Sequence, residues 1–161
     1  CVGVAYRINK NILEALSVTE KGIETTLSTN LYSQLPGVNI TASSDGRLVA
    51  VCTIDGSLSC YDVTDTSLGL RWVIEGAHSH VVSNVSDSPS ASRAKAAAEA
   101  GPLRSFQFAP EGYALLLAHN GQEGLTIYHA ELVKNPKDIV REKLSHIEVA
   151  SATWSPATFE A

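Results

Sequence analysis

Cysteine, aromatic side chains and basic charge are all scarce in this chain of 161 residues. The three cysteines, Cys1, Cys52 and Cys60, are an odd number without metal-ligand spacing, which argues against a zinc framework and against a scaffold stapled by paired disulfides. Charged residues make up only 18%, with a net charge of −5. Gripping phosphates needs a basic surface, and the longest basic clustering here is the scattered Arg93/Lys95 pair, so no nucleic-acid partner is expected. No stretch approaches the roughly 20 apolar residues of a spanning helix, so no membrane insertion is expected either. The first residue is Cys1, not Met, and no charged and apolar leader precedes a cleavage site. That start is read as the mark of an excised piece or of a removed N-terminus.

What is present is a globular composition, 44% hydrophobic, with strong turn punctuation. Residues 40 to 62, ITASSDGRLVAVCTIDGSLSCYD, read as three strands joined by tight turns at Asp45-Gly46 and Asp55-Gly56. Asp-Gly between apolar runs is a strong hairpin signal, because glycine takes positive φ without steric cost. Taking Asp55 and Gly56 as a two-residue loop sets Cys52 opposite Ser59 and Cys60 opposite Val51. The two thiols then point to opposite faces of the sheet, and no disulfide joins them. Free buried thiols suit a reducing intracellular compartment, cytoplasmic or nuclear. The tripeptides Asn39-Ile40-Thr41 and Asn84-Val85-Ser86 match the glycosylation sequon, a pattern common by chance.

The pattern recurs. Residues 103 to 130 run from an apolar strand through the Pro110-Glu111-Gly112 turn to a second apolar strand. A longer loop at Asn120 to Gly124 follows, then Leu125-Thr126-Ile127-Tyr128. Glu111-Gly112 overlays Asp45-Gly46, and Tyr128-His129 overlays Tyr61-Asp62, so the chain carries an internal repeat. Outer strands are expected over Leu68 to Ile74 and Asp138 to Leu144. Residues 147 to 156 are expected to restart the pattern as a first strand. Ahead of the repeat, strands over Val2 to Ile8, Ile12 to Val18 and Ile23 to Leu27 read as the second, third and fourth strands of a preceding unit. Leu48, Ala50 and Ile54 are assigned to one face of the central sheet, and Val49, Val51 and Leu58 to the other. Both faces must then be covered, since each Å² of apolar area left in water costs about 25 cal/mol. Residues 83 to 102 interrupt the rhythm as a flexible insertion. A short helix over about Ala91 to Ala100 is expected there, capped by Ser90 or Ser92 and stopped by Gly101-Pro102.

These residues resemble WD-repeat β-propellers. Blades of that family usually close on Trp-Asp, with an Asp six positions before the Trp and a small hydroxyl residue two before that Asp. Here Tyr61 stands in for Trp, with Asp55 and Thr53 at the matching positions. The resemblance implies a hydrogen-bonded blade network of Thr53, Asp55 and Tyr61, with Tyr128 as the second closing aromatic and His146 preceding Trp154 at the family spacing. The chain departs from the pattern where Ser33 stands near the place of the first blade's His, and where Gln122 replaces the second blade's Asp. The implied fold is all-β: four-stranded antiparallel blades, about three blades' worth, forming a single partial propeller domain over residues 1–161 with 83–102 as the inter-blade insertion. The remaining blades, or another chain, are expected to complete the ring.

Candidate sites are few. His78 and His80 alternate as metal ligands would, without a third ligand nearby in sequence, so no metal and no cofactor is expected. His119, His129 and His146 have no local nucleophile signature beside them, so no catalytic residue is assigned. Trp72 and Trp154 read as blade packing. Ser88, in Ser86-Asp87-Ser88-Pro89-Ser90, is a candidate phosphorylation site, where each phosphate adds about −1.5 to −2 charges. His78, His80, Asp87, Ser88 and Asn120 fall in loops that the resemblance brings to one face, the candidate partner-binding face. The function expected is a non-catalytic scaffold that holds other protein subunits within a larger intracellular complex. The alternative is a hydrolase or lactonase propeller with its site in the central channel.

Overall fold

The computed structural model describes residues 3–78, 103–119, 124–130, 141–144 and 151–155. Eleven strands occupy them in chain order: β1 Gly3–Asn9, β2 Ile12–Thr19, β3 Gly22–Asn30, β4 Gly37–Ala42, β5 Leu48–Thr53, β6 Leu58–Val63, β7 Leu68–Ile74, β8 Ser105–Phe108, β9 Ala114–Ala118, β10 Leu125–His129 and β11 Arg141–Leu144. They form three antiparallel meanders, β1-β2-β3, β4-β5-β6-β7 and β8-β9-β10-β11. The expectation of all-β structure in three- and four-stranded sheets holds, and β7 spans the expected residues. A short 3-10 turn, Tyr32–Gln34, links the first two sheets.

The turns follow from their side chains. At the β4–β5 turn the Asp45 carboxylate accepts hydrogen bonds from the Ser43 hydroxyl at 2.8 Å and the Arg47 N–H at 3.0 Å. Gly46, at φ 73°, occupies the left-handed region that other residues enter at a cost. The repeat is visible in the same terms. Ser43 and Leu48 close their turn by an N–H to carbonyl bond, and Ala109 and Ala114 close theirs the same way. Gly112 matches Gly46 at φ 73°.

The three sheets stack face to face. Leu13 and Ala15 of β2, with Leu31, pack on Val49, Val51, Tyr61 and Leu68 of the second sheet. The second sheet's other face presents Leu48, Ala50, Cys52, Leu58, Cys60 and Trp72 to Phe106, Phe108, Leu115, Leu117 and Tyr128 of the third. All six residues of β5 are therefore buried. The edge strands β1, β4 and β8 meet without joining into one sheet. β4 lies beside both β1 and β8, and its Asn39 and Thr41 side chains accept backbone N–H groups of Leu103 and Phe108. Gly37 opens β4 where this approach is tightest: a Cβ there would stand 2.8 Å from Ile8 Cδ1 and 2.9 Å from its Cγ2.

Two readings are corrected. The β5–β6 register is one residue off the expected pairing: Cys52 faces Leu58, Val51 faces Ser59 and Ala50 faces Cys60. The loop has three residues, Ile54, Asp55 and Gly56, because Thr53 and Ser57 close it by a backbone bond and Gly56 donates to the Thr53 carbonyl. Cys52 and Cys60 consequently share one face rather than opposing ones, Leu58 joins them there, and Ile54 is left 39% exposed at the turn. Both thiols are free. The second correction concerns residues 151–155, which are not strand. They are held along β8 by side chains instead: Ala152 N–H on the Ser105 hydroxyl, and Trp154 Nε1 on the Gln107 carbonyl. The expected helix over 91–100 lies outside the described residues.

Candidate functional site

One end of the stacked sheets gathers the Lys10-Asn11 turn, the 31–36 link, the Ile54–Gly56 turn and the segment after β7. Backbone bonds tie each of these to the next. Gly37 N–H donates to the Lys10 carbonyl, Ile54 N–H to Pro36, and His78 N–H to Gly56. Consecutive turns are thus fixed relative to one another, as a rigid platform requires. Tyr32 and Ile54 expose 43% and 39% of their surface on this end. A groove of about 400 Å³ lies between Tyr32 and the end of β7, lined by Val73, Ile74 and Glu75. A larger groove of about 500 Å³ runs along β1 and β4 toward the opposite end, with Val4, Tyr6, Ile40, Ala42 and Asp45 among its walls. Burial pushes the Tyr6 phenol above its ordinary range.

Behind the platform, each repeat carries a buried polar cluster. In the second sheet the Asp55 carboxylate is 4% exposed and accepts three hydrogen bonds. They come from the Thr53 hydroxyl at 2.6 Å, the Ser57 N–H at 3.0 Å and the Ser57 hydroxyl at 2.9 Å. This satisfied cluster sets the loop length and hence the register. Tyr61 lies outside it: its hydroxyl accepts the Tyr32 N–H at 3.0 Å, tying β6 to the link before β4. Of the expected network, then, Thr53 and Asp55 bond directly and Tyr61 anchors the neighbouring loop.

The third sheet solves the same position differently. His119 stands where the repeat overlay puts Thr53, and closes its own turn by donating its N–H to the Gly124 carbonyl. Its ring Nδ1 is 2.9 Å from His78 Nδ1, and its Nε2 is 2.8 Å from the Thr126 hydroxyl. His78, expected in a partner-binding loop, is 3% exposed and belongs to this buried cluster instead. The residues around each histidine do not signal the pairing, although continuing the overlay from Glu111-Gly112 to position 119 exposes the substitution. His129 pairs with Ala114 at the far end of the β9–β10 hairpin, so His119 and His129 do not converge. Tyr128 is buried on β10 at the place of Tyr61, and Trp72 donates its Nε1–H to the Ala130 carbonyl across the second seam. His80, Asp87, Ser88, Asn120, Gln122 and His146 lie outside the described residues, as does Cys1. Among the described residues no group of three or more metal-ligating side chains gathers.

No family model and no curated protein matches the chain. Among solved structures, the C-terminal WD40 domain of Sif2 is similar to it at 13% sequence identity and a TM-score of 0.49, over 90% of this chain and 33% of that one. The chain therefore spans about a third of the length of that structure. The fold itself rests on the chain's own geometry. Antiparallel meanders stacked face to face, with β4 beside both β1 and β8, are the blades of a propeller-like all-β architecture.

Proposed function

We propose that this chain is a non-catalytic scaffold that presents its loop-bearing end to other proteins, as part of a larger intracellular complex. The observation that carries the reading is the division of labour at that end. Buried polar groups such as Asp55 and His119 are committed to the turns themselves, whereas the exposed surface offers Tyr32, Ile54 and an adjoining groove. Tyrosine at a rigid rim supplies contact area at low entropic cost. Further blades, from this protein or another chain, would cover the outer faces of the first and third sheets. On the WD-repeat resemblance, the loops over 79–102 and Asn120 to Gly124 would extend the same end, and phosphorylation at Ser88 would add charge to it.

The test is a differential one. Tyr32→Glu and Ile54→Glu leave the buried clusters intact, and Thr66→Glu alters the opposite end. Partners recovered with the wild type are expected to be lost with the first two variants and kept with the third. Retention of every partner by the Tyr32 and Ile54 variants, with loss in the Thr66 variant, overturns the assignment.

A further inference from the structure

His78, in the segment after β7, and His119, just past the end of β9, meet nitrogen to nitrogen, their ring centroids 5.1 Å apart and their planes 26° from parallel. Both are essentially shielded from solvent, at 3% and 0% exposure. Across the 2.9 Å between the two Nδ1 atoms, one nitrogen must carry a proton and the other offer its lone pair. His119 Nε2 faces the Thr126 hydroxyl, which donates or accepts as the tautomer demands. The protons can therefore be counted. The neutral pair holds two ring protons and keeps its bond. A third, on the remaining nitrogen of the donor ring, leaves the bond intact. A fourth has only the accepting Nδ1 to occupy and breaks it.

We propose that the His78–His119 pair is a proton-sensitive latch across the seam between the second and third sheets, closed while at least one ring is neutral and forced open when both are charged. In the unfolded chain both histidines charge below about pH 6.5. The latched pair holds at least one proton fewer than the unfolded chain does at low pH. Stability then falls as pH drops, because the unfolded state binds more protons. Each excluded proton lowers the folding equilibrium constant about tenfold per pH unit below about 6.5.

The elements packed around the pair carry other titratable or charged groups. Asp55 lies in the turn whose Gly56 carbonyl accepts the His78 N–H, and its carboxylate already holds three donors. Glu75 and Arg104 are exposed, one shortly before His78 and the other at the entry to β8. Cys52 and Tyr128 line the same seam, and burial pushes the Cys52 thiol up to about 12, so it stays neutral. Acid sensitivity arising from these groups is common to the wild type and to a variant altered only at the pair.

A double variant, His119→Thr with His78→Asn, removes both titrating rings and installs at position 119 the hydroxyl residue that the first repeat carries at Thr53. Unfolding by urea, followed for the whole chain from about pH 7.5 to 5, is expected to show wild-type stability falling relative to the variant. The ratio of their folding constants should drop about tenfold per pH unit below about 6.5. Parallel pH profiles for the two proteins overturn the latch. Ring-nitrogen NMR of the wild type is independent of whether the variant folds. One protonated and one bare Nδ1 within the pair at neutral pH support it, and two bare or two protonated Nδ1 atoms overturn it.

Discussion

Tyr113 donates its phenol hydroxyl to the Asp45 carboxylate, joining the β8–β9 turn of the third sheet to the β4–β5 turn of the second. Arg47 completes the clasp. Its guanidinium donates to the Tyr113 oxygen at 3.0 Å and lies 5.7 Å from the ring centroid. The two residues are far apart in sequence, so the contact reports how the sheets are stacked.

This clasp sets a pH prediction. The Tyr113 hydroxyl, followed by the Arg47 N–H and the Ser43 hydroxyl, holds the Asp45 carboxyl down to about 2 from its usual 3.8. Because the folded value is depressed, the clasp contributes stability above about pH 3.8 and loses it as pH falls through about 2. Tyr113→Phe removes the leading cause, so the Asp45 titration, read from its carboxyl carbon by NMR, should move back toward the ordinary range. An unchanged titration would show that the turn alone depresses it.

Asp55 governs the second turn, and its loss should be severe. Asp55→Ala strands both Ser57 donors in a buried loop, leaving the Thr53 hydroxyl only the Ser57 carbonyl at 3.3 Å, a cost of about 3 kcal/mol. Ser57→Ala, which removes one donor and leaves the other bonds in place, should cost about 1 kcal/mol. Urea unfolding midpoints measure both. Equal losses would mean that the turn, rather than its carboxylate, carries the stability.

The two thiols should be chemically silent in the native state. Burial raises Cys52 and Cys60 to about 12, and the thiolate, not the thiol, is the nucleophile. In a Cys1→Ser background, a disulfide reagent should label neither cysteine until denaturant opens the sheets, and then label both. Rapid labelling of the folded protein would contradict the packed seam between the second and third sheets.

Strand positions and turns were legible in the residues because their causes are local. Asp-Gly pairs bound the central strand, an unbroken apolar run fills it, and Leu68 to Ile74 is recovered without change as β7. The face assignments were less legible. Counting Asp55-Gly56 as a two-residue loop ignored what the Asp55 carboxylate does to its own turn. Recruiting Thr53 and Ser57 adds one residue to the loop, and in a sheet one residue exchanges the faces. That is why Cys60 and Leu58 sit beside Cys52 and Ile54 is turned out. Residues 147 to 156 carry the rhythm of a first strand, but 151–155 are held along β8 by side-chain bonds rather than a ladder.

The order of strands, the sites of the turns and the need to cover both faces of the central sheet are properties of the amino-acid sequence alone, because each depends on residues within a few positions of one another. The meeting of His78 with His119, of Tyr32 with Tyr61 and of Asp45 with Tyr113 was decided only by tertiary structure. Those contacts join links, turns and strands that are distant along the chain, and a side chain meets such a partner only when the sheets have stacked and water has been excluded between them.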